Sequence, residues 1–368
     1  MSKGPLSSLK VVEFAGLGPA PLAGQLLADL GAEVVVIDRK AGPADKTDVN
    51  GRGKRSIVLN LKSEAGLHAA RKVIATSDVL IEGFRPGVME RLGLGPDTCP
   101  ERLIYARMTG WGQEGPWSHT AGHDINYLAL TGALHAMGAG DQPPLPPLNL
   151  VADYGGGTMF LLFGILAAVF ERGVSGKGQV VDAAMVDGVP AMMGLIHGML
   201  ARGDWRQTRA SNWLDGASPF YRCYTCADGK FIAVGALEPQ FYALLLEKLD
   251  LPDDYRADQH DPQTWPARIA EFERVFASRT RDDWAAHFEG SDACVAPVLS
   301  FAEAATHPHM AARGTLQNPA DVVQSAPAPR FSRTPAAALQ PTRAKGADTA
   351  EILRAAGLSD AEIAALDT

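Results

Sequence analysis

The chain has 368 residues, of which 46% are hydrophobic and 21% charged, and its formal net charge is −8. This length exceeds one ordinary hydrophobic core, so we expect a globular protein of two domains. The acidic balance argues against general nucleic-acid binding, and the longest apolar run, 159–170, is too short to span a membrane. Four cysteines and a start without a cationic-then-apolar pattern predict a reducing, cytoplasmic setting.

The first forty residues predict a β-α-β unit. Buried strands are expected at 9–14 and 33–38, with a helix at 22–30 between them. The two strands should therefore be parallel, because a helical crossover connects them.

The loop after the first strand partly matches a dinucleotide-binding fingerprint. Gly16, Gly18 and the acidic Asp38 are in place, but Pro21 stands where the third glycine belongs and Arg39 follows the acid. An NAD site is therefore not favoured. We expect Arg39, at the carboxyl end of a parallel strand, to pair with a phosphate instead.

A cationic segment follows at 51–55, with Arg52, Lys54 and Arg55 in a spacing that does not match a P-loop. It could be a solvated loop or part of an anion site, and the sequence leaves both open. Further β-α units are then predicted, with a strand at 57–61, a helix at 63–75, strands at 79–82 and 103–108, and a turn at 83–87.

These units predict an α/β fold, a Rossmann-like doubly wound parallel sheet in a large domain. We assign it residues 1–200, completed by 330–368. Ligands of such sheets bind outside the carboxyl ends of the strands, where Arg39, Lys62 and Arg85 all fall.

Two titratable residues stand at predicted helix starts. Asp153 comes shortly before a helix at 158–172, and His123 follows Gly122 at the start of an apolar run. Unpaired N–H groups and the positive end of the helix dipole favour an anion at such positions. A capping role is the common function of such residues, and an acid/base pair is the alternative.

A smaller α+β domain is predicted at 215–310, between linkers at 201–214 and 311–329. Its signals are a hairpin near 220–234, a helix that Glu238 opens, and two further helices. The Pro-rich connector 315–347 suggests a segment laid across another surface, such as a second subunit. Capping patterns then open two closing helices, Asp348 with Glu351 and Ser359 with Glu362.

Five motifs in order carry a family resemblance: GFRPGVMERLGLG, GHDINYLAL, NLVADYGGG, GKGQVVDAAMVDG and GALEPQFY. With them, essentially the whole chain resembles the α-methylacyl-CoA racemases of the family III CoA-transferase superfamily. The resemblance implies a 1,1-proton transfer that interconverts the 2R and 2S epimers of 2-methylacyl-CoA thioesters. It implies neither a metal nor a redox cofactor, since CoA is part of the substrate.

The resemblance also implies roles for individual residues. His123 and Asp153 match the acid/base pair of the family, and Glu238 matches the carboxylate that partners the histidine. The positions that match its CoA contacts are Arg39, Leu59, Asn60, Leu61, Lys62, Arg85, Gly122, His123, Asp124, Ile125, Asn126 and Tyr127. Members form interlocked homodimers. The end of this chain, Leu366-Asp367-Thr368, lacks the peroxisomal tail of animal members.

The acid/base roles that the resemblance implies conflict with the position of Asp153 at a helix start. When His123 is the neutral base, Asp153 must hold a proton, so burial must raise its pKa against the pull of the helix dipole. We expect backbone N–H groups at the helix start to bind the thioester oxygen while the carboxyl sits in an apolar pocket.

Two other functions remain open. In a CoA-transferase of the same superfamily, the aspartate at the Asp153 position would be a nucleophile that forms an acyl anhydride. A nucleotide-binding or regulatory protein could use the Rossmann-like start without chemistry.

Overall fold

The computed structural model describes residues 4–366, so Asp367 and Thr368, on which the comparison with a peroxisomal tail depends, lie outside the described residues. Within this range a six-stranded parallel sheet has the order β3-β2-β1-β4-β5-β6. Its strands are β1 Lys10–Phe14, β2 Glu33–Asp38, β3 Arg55–Val58, β4 Val79–Glu82, β5 Ile104–Thr109 and β6 Val180–Ala184. The prediction of a doubly wound parallel sheet is confirmed, and the strand order reverses between β1 and β4.

Helices connect these strands: α1 Pro19–Asp29, α2 Glu64–Ala75, α3 Val88–Arg91, α4 Asp124–Leu130, α5 Met159–Ser175 and α6 Met185–Met192. Strands β1 and β4 are buried along almost their whole length, as parallel strands covered on both faces must be. Strand β3 ends at Val58, earlier than the predicted 61, and Leu59 to Lys62 form the turn before α2.

The helical stretch that ends in α5 begins earlier than the predicted residue 158. A π-helical segment, Leu150–Thr158, precedes α5 without a break and contains Asp153 together with Gly155 to Gly157. The combined helix, Leu150–Ser175, is long and apolar enough by length and composition to cross a membrane. We expected the longest apolar run to be too short to span a membrane. That expectation was wrong for this helix, because the predicted helix began only at residue 158. A core helix of a soluble protein can meet the same criterion.

The chain divides into two compact units. The first comprises Met1–Thr131, Leu148–Met192 and Pro308–Thr368, and the second Gly132–Pro147 and Met193–His307. The division differs from the predicted boundaries, because 132–147 and 193–214 belong to the second unit and 311–329 to the first. The segment 132–147 belongs to the second unit partly because the Arg209 guanidinium donates hydrogen bonds to three of its carbonyls.

The second unit contains an antiparallel sheet in the order β7-β8-β9, with helices packed on it. Its elements are α7 Gly194–Arg202, β7 Tyr221–Thr225, β8 Phe231–Gly235, α8 Pro239–Lys248, α9 Trp265–Phe276, α10 Arg281–Phe288, β9 Val295–Pro297 and α11 Phe301–Thr306. Aromatic side chains fill its core, among them Phe220, Tyr224, Phe276 and Trp284. The predicted hairpin is present as β7 and β8.

The remaining elements return to the first unit: α12 Pro308–Arg313, β10 Leu316–Gln317, β11 Gln324–Ser325, α13 Thr349–Ala355 and α14 Asp360–Ala364. The connector lies on the chain's own first unit, where Arg52 donates to the Ser325 carbonyl at 2.9 Å and Lys345 bridges to Gly42. The cap at Ser359 is confirmed. Asp348 is the N-cap residue of α13, as predicted, but its side chain makes no capping hydrogen bond, because its carboxylate accepts from Arg343 and from the Ser56 N–H.

Candidate active site

A cleft of about 1230 Å³ opens at the carboxyl edge of the parallel sheet, within the first unit. The loops that follow β1, β2, β4 and β5 form its walls, on both sides of the point where the strand order reverses. The segments that contribute to its lining include 15–20, 38–43, 83–86, 108–111 and 120–123, together with Tyr127, Asp153, Met185 and Lys345.

His123 lies at the N-cap of α4, exposed and on the cleft wall. Its own N–H donates to the side-chain oxygen of Asn126 at 3.1 Å, which fixes the backbone at the helix start. Gly122 is required beside it, since a Cβ there would lie 2.7 Å from the Tyr127 ring. The Tyr127 hydroxyl donates to the Gly122 carbonyl, so this turn holds the imidazole at the cleft.

Asp153 lies in the first turn of the π-helical segment, half-buried and on the same cleft. Burial raises the pKa of its carboxyl, and the negative charge of Asp124 raises it further. A hydrogen bond from Asn149 and the charge of His123 act in the opposite direction. The carboxyl therefore binds a proton more tightly than an exposed aspartate does.

The Asp124 side chain is engaged with the start of the Asp153 helix, and its predicted contact with CoA stays a prediction. Its side chain is 5% exposed, and Oδ2 accepts hydrogen bonds from the N–H groups of Ala152 and Asp153, at 2.9 and 2.8 Å. These N–H groups are thus occupied, and the expectation that they bind the thioester oxygen is wrong for both. The Asp124 carboxylate therefore contacts the helix start.

Four basic side chains line the cleft. Arg39 and Arg85 follow β2 and β4, as predicted, and both are exposed. Lys40 and Lys345 lie there as well, and the sequence analysis missed them. Lys40 adjoins Arg39 and could have been found from its position after a strand. Lys345 comes from the distant connector, and no local pattern indicates it.

The other expected CoA contacts lie elsewhere among the described residues. Leu59 is 1% exposed and belongs to the hydrophobic core, so its predicted contact with CoA stays a prediction. Asn60 and Lys62 are exposed in the turn after β3, where the Asn60 side chain accepts from the Lys62 N–H. Within residues 4–366, the residues that line the cleft include none of Leu59, Asn60, Leu61, Lys62, Asp124, Ile125 and Asn126.

Glu238 belongs to the second unit, where it is exposed at the N-cap of α8. The Phe241 and Tyr242 N–H groups donate to its carbonyl, and Pro239 begins the helix, as predicted. Its pairing with His123 stays a prediction.

The cationic segment 51–55 is neither a solvated loop nor an anion site. Arg52 and Lys54 are buried and form ion pairs with Asp29 and Glu13, at 2.6 and 2.7 Å. Burial raises the pKa of Glu13, and Lys54 counteracts that effect. These cations stabilise the fold.

Comparison with known proteins agrees with this architecture. The family described as CoA-transferase family III matches residues 6–349. The chain belongs to this family. The resemblance predicted from the sequence is therefore confirmed at the level of the family.

Relatives within and around the family match over nearly the full chain. The alpha-methylacyl-CoA racemase of Mus musculus is 46% identical over 363 residues, 97% of this chain and 95% of that protein. The one of Homo sapiens is 44% identical over 370 residues, 99% and 96% of the two chains. A crystal structure of a CAIB/BAIF family protein from Brucella suis has a TM-score of 0.80 at 25% identity, covering 96% of this chain and 100% of that one.

Proposed function

We propose that this protein interconverts the 2R and 2S epimers of 2-methylacyl-CoA thioesters. One observation carries the proposal: His123 and Asp153, from two separate helix starts, open on one cleft that also presents the exposed cations Arg39 and Arg85. A proton-transfer pair and a phosphate-binding pair in one cleft suit an acyl-CoA substrate. The names of the mouse and human relatives support the same reaction.

The reaction removes a proton from one face of the α-carbon and adds a different proton to the other face. His123 takes the α-proton, and the electrons of the broken C–H bond pass to the thioester carbonyl as an enolate. Asp153 then gives its own proton to the opposite face of that carbon, which forms the other epimer. The opposite epimer runs through the same steps in reverse, with Asp153 as the base.

The protonation states suit these roles. A neutral imidazole is a competent base near neutral pH. The raised pKa of Asp153 favours the protonated carboxyl that the first direction needs. Glu238, by analogy with the family, would hold the histidine tautomer and stabilise the imidazolium.

Arg39, Arg85, Lys40 and Lys345 would bind the phosphates of CoA, since phosphate contacts need exposed cations. The chemistry above calls on neither a metal nor a redox cofactor. We place the reaction in cytoplasmic lipid and fatty acid metabolism.

We further propose an interlocked homodimer without membrane insertion. Helix α5 exposes Phe163, Phe170 and Val174 on one face, at 72%, 80% and 84% of their surface. Exposed apolar area of this kind marks an interaction surface. A second copy would bury it, and sedimentation at working concentration should give a dimer; a stable, active monomer or co-sedimentation with lipid vesicles would contradict this.

The test of the reaction uses one pure 2-methylacyl-CoA epimer with the enzyme in deuterated water. We expect the other epimer to form and deuterium to enter at the α-carbon of the product. A CoA-transferase would leave the configuration unchanged and transfer CoA to an added carboxylic acid, with an acyl-Asp153 anhydride that hydroxylamine traps.

A further inference from the structure

The start of the Asp153 helix contains a second, buried carboxylate. Asp124 is 5% exposed, and its Oδ2 takes the N–H groups of Ala152 and Asp153. Its Oδ1 is also buried and has no hydrogen-bond partner among the described residues. Keeping a carboxylate oxygen without a partner is costly, so this arrangement needs a reason beyond capping.

We infer that Asp124 is a positioning residue for the proton transfer: its carboxylate fixes the backbone of Asp153 and holds a negative charge beside the proton donor. This inference rests on the proposed function, since it assigns Asp153 the proton.

The geometry resolves the conflict between a helix start and a protonated acid. A carboxylate near a helix N-terminus is normally stabilised by the free N–H groups there and by the dipole. Asp124 occupies two of those N–H groups, including that of Asp153 itself, and adds an opposing charge to the positive helix end. The Asp153 carboxyl is therefore left without this stabilisation of its anion, and it retains its proton more readily.

Other charged groups do not substitute for Asp124. His123 and Tyr127, both from the α4 region, and Asn149 also interact with Asp153, while Arg85 acts on Tyr127. Elements packed against the π-helical segment carry further charges that are engaged elsewhere: Asp29 with Arg52, Arg107 with Glu90, Asp182 with the Gln113 N–H, and Arg172 with the Asp78 carbonyl. The negative charge of Asp187, on α6, raises the pKa of Asp182.

The test replaces the charge and keeps the shape. In Asp124→Asn the amide oxygen can still accept both N–H groups, but the negative charge is gone. For the epimer that Asp153 deprotonates, we expect the acidic limb of the kcat/KM profile to move about one unit toward lower pH, because Asp153 then ionises at a lower pH. Asp187→Asn makes the same change on the neighbouring helix and should leave the limb where it is.

A folded Asp124→Asn enzyme with a wild-type acidic limb would overturn the inference. If this variant does not fold, carbon-13 titration of the wild-type enzyme decides, with Asp153→Asn used to assign the Asp153 signal. A signal that titrates above the ordinary range of an aspartate supports the inference, and one at or below it contradicts it. The titration reads Asp153 directly, so failure of the inference differs from failure of the proposed function, which shows as no racemisation by wild-type enzyme.

Discussion

Basic residues that follow strands of the parallel sheet and basic residues that precede a strand have opposite surroundings. Arg39 and Arg85 follow strands β2 and β4 and are exposed on the cleft, and no ion pair among residues 4–366 involves either. Arg52 and Lys54 precede strand β3 and are buried against acidic partners. All four residues are basic. Their position relative to the strand therefore distinguishes a cation that can bind a ligand from one that stabilises the fold.

The largest effect should come from breaking a buried pair. Lys54→Ala leaves Glu13 buried without its cation, which should lower the free energy of unfolding by about 3–5 kcal/mol in urea denaturation. Lys177→Ala is the matched control, because its pair with Glu101 is exposed and should contribute little to stability. Equal losses in the two variants would remove the distinction that we draw.

The end of strand β4 sharpens the comparison, since the buried Glu82 stands close to the exposed Arg85. Burial raises the pKa of Glu82 to about 7, and its Oε2 accepts from the Phe84 N–H at 2.7 Å. The folded state therefore binds this proton more tightly than the unfolded chain. The tighter binding of this proton adds on the order of 3 kcal/mol to the free energy of unfolding. This stabilisation is fully present below about pH 4.5 and is lost as the pH rises through about 7.

Denaturation of wild type and Glu82→Gln between pH 4.5 and 8 checks this. The variant should lack that part of the pH dependence, because its amide does not titrate. The same slope in both proteins would show that Glu82 does not carry the effect.

The cleft cations should affect binding and leave stability alone. Arg39→Ala or Arg85→Ala should cost about 1.5–3 kcal/mol of substrate binding, which is an increase in KM of about 10- to 150-fold. The melting temperature should change little, since both side chains are exposed. A large loss of melting temperature with unchanged KM would place them with Arg52 and Lys54.

Lys345 should give the smallest effect. Its ammonium lies 3.5 Å from Asp38, and its side chain is 54% exposed, so solvent weakens the charge that it offers to a phosphate. We expect Lys345→Ala to raise KM by about threefold to tenfold, a loss near 1 kcal/mol. Unchanged KM at low ionic strength would exclude Lys345 from the CoA site.

Local patterns gave much of the fold and part of the site. Short buried strands predicted at 33–38 and 79–82 located the carboxyl ends near Arg39 and Arg85, and helix-start signals located His123 and Asp153. The glycines after Asp153 interrupted the helical pattern, so the earlier start at Leu150 was missed. A π-helical turn has no clear periodic signal in a sequence.

Roles set by tertiary contacts were beyond those patterns. Asp124 follows His123 in the sequence, yet its carboxylate accepts hydrogen bonds from the backbone N–H groups of Ala152 and Asp153, in a different helix. Lys345 reaches the cleft only because the connector crosses the first unit. Such partners depend on how distant segments pack, which neither propensity nor spacing encodes.

The two-base claim is tested most directly by His123→Ala and Asp153→Ala, each given one pure 2-methylacyl-CoA epimer in deuterated water. We predict that both variants lose racemisation, and that a variant retaining one base exchanges the α-proton of a single epimer without inverting it. Interconversion by His123→Ala at the wild-type rate, or acylation of Asp153 during normal turnover, would contradict the mechanism.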